Sequence, residues 1–309
     1  MSFKKEYNKI TDFVIPLHRY HYMLRTLIES INLFYSPKTI YIITPKCNCD
    51  IIEKNKFNWG KNDNNNIVVI EEEIFFENFM KFNDINELFT KNIDERNREF
   101  GWWYQQLIKL GSFKQIPNLS DPYIVWDSDL IPLIKWDIYP NEENNYFKFA
   151  ILQEYSRNNW LYDEYNNSML SLSDLSCIDP EVGTFVPHHY VFYHHILRDL
   201  IKHIEEKTNM NWIESIIKLS NNYFRFSEYR IVSSFMNKYY PELLNYYSFD
   251  KFGKFGKRIR DSIVFLLELE NYLFLRKIDY NYGISYSDFV CFVKEKYGIC
   301  PSYLQIEHI

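Results

Sequence analysis

Apolar positions along the chain fall into two patterns, short unbroken runs and stretches spaced at three and four residues. The runs at Asp12–Pro16, Lys38–Ile43, Ile67–Ile70 and Tyr123–Trp126 read as strands buried on both faces of a parallel sheet. Between the first two, Leu24, Leu27, Ile28 and Ile31 recur at helical spacing, which predicts a helix over Tyr22–Phe34 that Ser36-Pro37 breaks. An Asn-rich loop follows at Lys61–Asn66, and the acid run Glu71–Glu73 closes the third strand. Strand, helix, strand, helix-sized spacer and strand is the signature of a doubly wound α/β domain with a mainly parallel sheet flanked by helices.

A long helix is predicted over Arg96–Gly111. Phe100, Trp103, Leu107 and Leu110 form its core-facing stripe, and Gly111 is a natural C-cap. Its other face carries Trp102, Gln105, Gln106 and Lys109, where a solvated face would be richer in Glu and Lys. Glutamine amides read base or sugar edges, and a lysine meets phosphate; packing under another element is the alternative.

Further on, Phe147–Glu154 reads as a strand, and Tyr155–Pro180 as a polar loop with short helices whose Trp160, Tyr162 and Tyr165 suit either a sugar face or the core. A helix is expected to begin at His188-His189 and run to about Glu206, with Ile196, Leu197, Leu200, Ile201 and Ile204 on its buried side. Ser227 is a good N-cap for another helix, with Glu228 in its first turn. The tail from residue 251 opens on the basic loop KFGKFGKRIR. Two helices follow, at Asp261–Lys277 and Ser285–Tyr297. The loop reads as a linker, or as a mobile segment closing on a diphosphate.

The chemistry concentrates at Asp127-Ser128-Asp129, directly after the apolar run Tyr123–Trp126. Open α/β sheets bind ligands outside the carboxyl ends of their strands. Two carboxylates there repel each other unless a cation compensates them, and Mg²⁺ or Mn²⁺ on a diphosphate takes carboxylate and phosphate oxygens together. The same D-x-D also opens phosphatases of the haloacid dehalogenase type, in which Asp127 would be the nucleophile. The downstream acidic pair of that chemistry is missing here. His18, Arg19 and Thr44, in the loops after the first two strands, share the Asp edge and are candidate nucleotide contacts or local caps. His188 is a candidate metal ligand.

Composition narrows the classes. With 309 residues, 46% of them hydrophobic and 19% aromatic, the chain has ample material for a large core and is not disordered. A net charge of -6 speaks against a nucleic-acid binder. Five scattered cysteines suit a reducing compartment. The N-terminus has no apolar core of a signal peptide, and Ser262–Leu275 is interrupted by Glu268 and Glu270, so a cytoplasmic protein without a membrane span is expected.

Taken together, GWWYQQLIKL, YIVWDSDLIP and the FRFSEY segment resemble a GT-A glycosyltransferase of the nucleotide-diphospho-sugar transferase superfamily. More narrowly they are similar to a group of bacterial and large-DNA-virus glycosyltransferases that combine W-W-x-Q-Q-x-x-K-L, W-D-S-D, H-x-x-F and S-E-Y. The resemblance covers about Asp12 to Met236. It implies a glycosyltransferase domain over residues 1–250, with a nucleotide-sugar half at about 10–135, an acceptor half at about 136–250, and a helical C-terminal extension over 251–309. It implies a nucleotide-sugar donor, UDP-linked by preference, and Mn²⁺ or Mg²⁺, with Asp129 on the metal and Asp127 on the ribose or the metal. A glycan or glycosylated-protein acceptor follows, with Glu228 as the base of an inverting transfer. Arg230 departs from the acidic residue common after S-E-Y. A carbohydrate-binding protein without turnover is the other class that keeps this fold.

Overall fold

In the computed structural model of the protein, residues 11–59, 66–92, 100–141, 145–154, 160–220 and 225–307 are described. The expected Asn-rich loop up to Asn65, the helix before Phe100, the stretch Tyr155–Asn159 and Phe224 lie outside them, as do the side chains of Trp160 and Leu161.

The first half reads β1 (Phe13–Pro16), α1 (Leu24–Tyr35), β2 (Ile40–Thr44), α2 (Lys46–Asn55), β3 (Ile67–Glu71), α3 (Phe82–Asn92), α4 (Phe100–Gln115) and β4 (Tyr123–Trp126). The second half begins with β5 (Leu130–Pro132), β6 (Phe149–Ala150), α5 (Trp160–Ser173), β7 (His189–Phe192), α6 (His194–Thr208), α7 (Trp212–Leu219) and α8 (Glu228–Tyr239). It ends with β8 (Tyr246–Tyr247), β9 (Lys257–Ile259), α9 (Ser262–Leu275), α10 (Tyr286–Tyr297) and β10 (Tyr303–Ile306).

The central sheet has the order β3-β2-β1-β4-β7, parallel throughout except for the antiparallel β4–β7 edge. Successive residues of its strands enter opposite cores, as the two-residue period of a strand demands. Phe13, Ile15, Ile40, Ile42, Ile124 and Trp126 pack with α1. Val14, Ile43, Tyr123 and Val125 pack with α4, α6, α7 and α8. Each large side chain so enclosed contributes roughly 1.5–3 kcal/mol. The mainly parallel, doubly covered sheet expected from the unbroken apolar runs is the one that forms.

Three local expectations are corrected, and one open choice is decided. Gly111 does not end α4, which runs on to Gln115; a Cβ at Gly111 would meet the Phe76 ring at 2.4 Å, so its smallness serves packing. For the Gln106 and Lys109 side of α4, the expected alternative of packing under another element is the one that forms, because α8 covers it. His188 and His189 do not open a helix. His189 begins strand β7 and His188 precedes it in the left-handed region, at φ 58°. The expected strand Phe147–Glu154 reduces to Phe149–Ala150, paired with Tyr246–Tyr247.

The tail carries both expected helices and adds two strands. β10 pairs antiparallel with β5 and parallel with β9, so the basic loop is tied into a three-stranded sheet. Gly256 is required there, since a Cβ would overlap the Tyr303 ring at 1.9 Å. Phe265, Leu269, Leu273, Phe289 and Val293 close a third core over Met23, Ile131 and Leu304. Among the described residues no helix is long and apolar enough to cross a membrane.

Candidate active site

Asp127 stands one residue beyond β4, at the carboxyl edge of the parallel strands. Its N–H continues the β4–β7 ladder by donating to the His188 carbonyl at 2.8 Å. The turn that follows is held from two more sides. Leu130 N–H donates to the Asp127 carbonyl at 3.2 Å, and Ile306 N–H of β10 donates to the Asp129 carbonyl at 2.9 Å. The Trp126 indole donates to the Leu130 carbonyl at 2.7 Å. The two carboxylates are therefore set by backbone on both flanks, as a preorganised site requires.

The side chains around Asp127 form one network. The Lys109 ammonium, 3% exposed, lies 2.6 Å from Asp127 Oδ1 and 2.7 Å from Glu228 Oε1. It also sits over the Tyr229 ring at 4.6 Å, whose hydroxyl donates to the same Asp127 oxygen at 2.8 Å. With its amide nitrogen facing the acceptors, Gln106 donates to Glu228 Oε2 at 2.8 Å and to the Phe226 carbonyl at 3.0 Å. Ser227 caps α8 by accepting from Arg230 N–H at 3.4 Å, which places Glu228 in the first turn as expected. The other Asp127 oxygen meets His188 Nδ1 at 3.0 Å. His188 Nε2 faces the amides of Gln153 at 2.5 Å and Gln305 at 2.9 Å.

Burial dominates the electrostatics. It opposes the charge on Asp127, yet Lys109 and His188 outweigh it and hold that carboxyl well below the ordinary range. Burial also opposes the Lys109 charge and is overcome by Asp127 and Glu228, so the ammonium is held above its usual value. For Glu228 burial wins, and its carboxyl is raised despite Lys109. Asp129 is raised by burial and by Asp127, against His188 and a Gln305 hydrogen bond. His188, pushed down by burial, is nonetheless raised by its bond to Asp127 and by both carboxylates. Its neighbour His189 is fixed neutral: Nδ1 bonds the Pro187 carbonyl at 2.7 Å, Nε2 accepts from Ala150 N–H at 3.0 Å, and burial lowers it to about 3.

These residues fit a divalent cation. Ligand atoms of Asp127, Asp129 and His188 all lie within 4.8 Å of one another. Asp129 Oδ1 is buried with no hydrogen-bond partner, a costly state that a cation would relieve. His188 Nδ1 and Asp127 Oδ2, 3.0 Å apart, are spaced like neighbouring ligands of an octahedral ion with bonds of about 2.1 Å. The carboxylate oxygens suit Mn²⁺ or Mg²⁺, and an imidazole nitrogen beside them favours the softer Mn²⁺ of the two.

The remaining candidates lie in the segments at the ends of β1 and β2 and on α4. Thr44 is buried and accepts from Asn48 Nδ2 at 2.9 Å, and the same amide reaches the His18 carbonyl at 3.2 Å. The His18 ring lies against Gly101 of α4, where a Cβ would meet it at 2.6 Å. Arg19 is exposed, Gln105 is half-buried, and Trp102 stands edge-on to Trp103. None of these five shares the hydrogen bonds described around Asp127. Tyr162 donates to the Cys177 carbonyl, and Tyr165 lies under Arg230, which pairs with Asp179 at 2.8 Å and Thr184 at 2.7 Å. Arg230 thus turns away from the Asp pair and braces the loop before β7.

Gln153, Tyr229 and Gln305 had no role assigned from sequence. The two glutamines share a signal, a single amide at the end of or inside an apolar run, in FAILQ and YLQI. Such a residue in a buried strand has to find a polar partner.

A sequence model for the family of unknown function DUF6492 matches residues 12–259. The chain belongs to that family. A comparison with curated proteins finds no match. Among solved structures, this DUF6492 protein is similar to an active-site mutant of LgtC, with 12% identity, a TM-score of 0.43, and coverage of 97% of this chain and 88% of that one. It is similar to apo mouse xyloside xylosyltransferase 1, with 9% identity, a TM-score of 0.43, and coverage of 96% and 98%. The glycosyltransferase GlyE of Streptococcus pneumoniae is a third, with 13% identity and a TM-score of 0.37 over 96% of this chain and 54% of that one.

Proposed function

We propose that the protein is a metal-dependent glycosyltransferase that moves a sugar from a nucleotide-diphosphate sugar to a hydroxyl of a glycan or protein-linked glycan. The observation that carries this reading is the Asp127–Asp129–His188 cluster at the carboxyl edge of β4, with the buried carboxylate Glu228 beyond Lys109. The resemblance of the W-W-x-Q-Q-x-x-K-L, W-D-S-D and S-E-Y segments points the same way, and it alone favours a UDP-sugar.

Asp127 Oδ2, Asp129 and His188 would hold the cation, which supplies charge neutralisation for the departing diphosphate. Lys109 keeps Asp127 ionised and therefore able to act as a ligand. Glu228 is the base: Lys109 on Oε1 and Gln106 on Oε2 fix its carboxylate, and burial raises its proton affinity toward that of a useful acceptor. On taking the acceptor proton it becomes neutral, and the Lys109 ammonium keeps its partner in Asp127. A carboxylate in this role implies inversion at the anomeric carbon. The phosphatase alternative is disfavoured, because the downstream acidic pair of that chemistry is missing from the sequence.

The test is turnover of a panel of radiolabelled nucleotide sugars, with Mn²⁺ and with chelator, by wild type and Glu228→Gln. Metal-dependent loss of one donor, retained nucleotide binding by the variant and at least about a hundredfold lower turnover are expected. Hydrolysis of phosphomonoesters with no nucleotide-sugar binding would overturn the reading.

A further inference from the structure

Helix α9, SIVFLLELENYLFL, is apolar on two sides. Phe265, Leu269, Tyr272 and Leu273 face inward, into the core shared with α10 and β10. Ile263, Val264, Leu267, Phe274 and Leu275 are 50–78% exposed. At 100° per residue these five fall within one arc of about 120°, an outward apolar stripe in which exposed Asn271 is the one polar position. Contiguous exposed apolar surface of this kind marks a contact with something else.

The charges around the stripe decide its occupant. Lys254 and Arg260 lie before its first turn and Lys277 just after its last, all exposed, and Phe255 in the basic loop is exposed as well. Of the nearby acids, Asp261 caps α9 by accepting from Val264 N–H, Glu268 pairs with Lys296, and Glu270 is half-buried at the edge of the stripe. Residues 251–309 hold 9 Lys and Arg against 7 Asp and Glu, whereas residues 1–250 hold 26 against 34. A symmetric pairing of two copies through this face would set basic ends against basic ends. An anionic bilayer surface offers apolar depth for the stripe and anionic headgroups for its ends.

We infer that the outward face of α9 docks the protein on anionic membrane surfaces, lying in the interface with its basic ends at the headgroups. The helix, 14 residues and so about 21 Å long, is too short to span the hydrocarbon core, and the docking is peripheral. This inference is independent of the reaction proposed above.

The test is flotation of the full chain with phosphatidylcholine vesicles, pure or with about 30% phosphatidylglycerol. Wild type is expected to bind the anionic vesicles at least about tenfold better than the neutral ones, and less well as salt rises. The double variant Leu267→Ser/Phe274→Ser should lose about tenfold or more of that binding with an unchanged melting temperature, since both side chains are exposed. Arg260→Glu/Lys277→Glu should lose the preference for anionic lipid. Absence of vesicle binding, or equal binding by the Leu267→Ser/Phe274→Ser variant, overturns the inference. So does a concentration-dependent dimer in light scattering that the same variant abolishes, which would assign the face to a second copy.

Discussion

Lys109 reaches Asp127 at 2.6 Å from the buried side, and that contact organises the whole carboxyl edge of β4. The ammonium shares itself between Asp127 and Glu228, so one cation of the protein neutralises one side of a three-carboxylate site. The third carboxylate, Asp129, is left to the other side, where His188 and the two glutamines converge.

Replacing Lys109 tests this division of charge. Lys109→Met leaves two buried carboxylates facing each other, and removal of one partner of a buried pair costs about 3–5 kcal/mol. Urea denaturation should show a loss of this size, with Lys109→Arg losing less. A loss below about 1 kcal/mol would mean that the pair is solvated in solution.

Asp129→Asn should separate stability from metal binding. The Asp129 carboxyl is held above its ordinary value, so its charge costs stability at neutral pH, and the amide removes that cost. Without metal the variant should melt at or above the wild-type temperature. Added Mn²⁺ should stabilise wild type, by about 2.7 kcal/mol at a hundred times its Kd, and leave the variant unmoved. Differential scanning calorimetry reads both effects.

Much of this was legible in the chain. Strands β1 to β4 announced themselves because parallel strands buried on both faces lose the polar alternation that makes other strands ambiguous. Asp127 and Asp129 stood out because carboxylates rarely follow such a run without a ligand. The hidden parts depend on distant partners. Lys109 read as a phosphate contact or part of a packed helix face, and its true partners were hidden, since its counter-charges come from β4 and α8. His188-His189 preceded a genuine helix closely enough to be absorbed into it, and only the antiparallel pairing of His189–Phe192 with β4 makes the segment a strand. Gln305 lay near the end of a tail read as helical, and its strand reaches the site by pairing Gln305 with Leu130 of β5.

The contribution of that last strand is measurable. Gln305→Leu removes an amide from His188 and from Asp129 without touching the cluster of three ligand residues. Loss of such a supporting bond typically weakens metal affinity about 10–100-fold. Manganese titration followed by electron paramagnetic resonance should show this loss; unchanged affinity would make Gln305 a packing residue only.

His21 gives the fold a pH dependence separate from the site. Its ring nitrogens are buried without partners, and burial lowers it from 6.5 to about 4. Below pH 6.5 the unfolded chain binds a proton there that the folded chain refuses until about pH 4. Stability is therefore complete above pH 6.5 and falls by up to about 1.4 kcal/mol per unit through that window. His21→Leu should flatten the slope of urea midpoints between pH 7 and about 4.5. An identical slope in the variant would assign the acid sensitivity to other groups.

Calorimetric titration of UDP into the protein, with Mn²⁺ and then with chelator, in wild type and Asp129→Asn, tests the central claim most directly. The account predicts binding that needs Mn²⁺ and disappears in the variant while the fold persists. Equal binding of UDP in chelator, or Mn²⁺-dependent binding that survives Asp129→Asn, would contradict it.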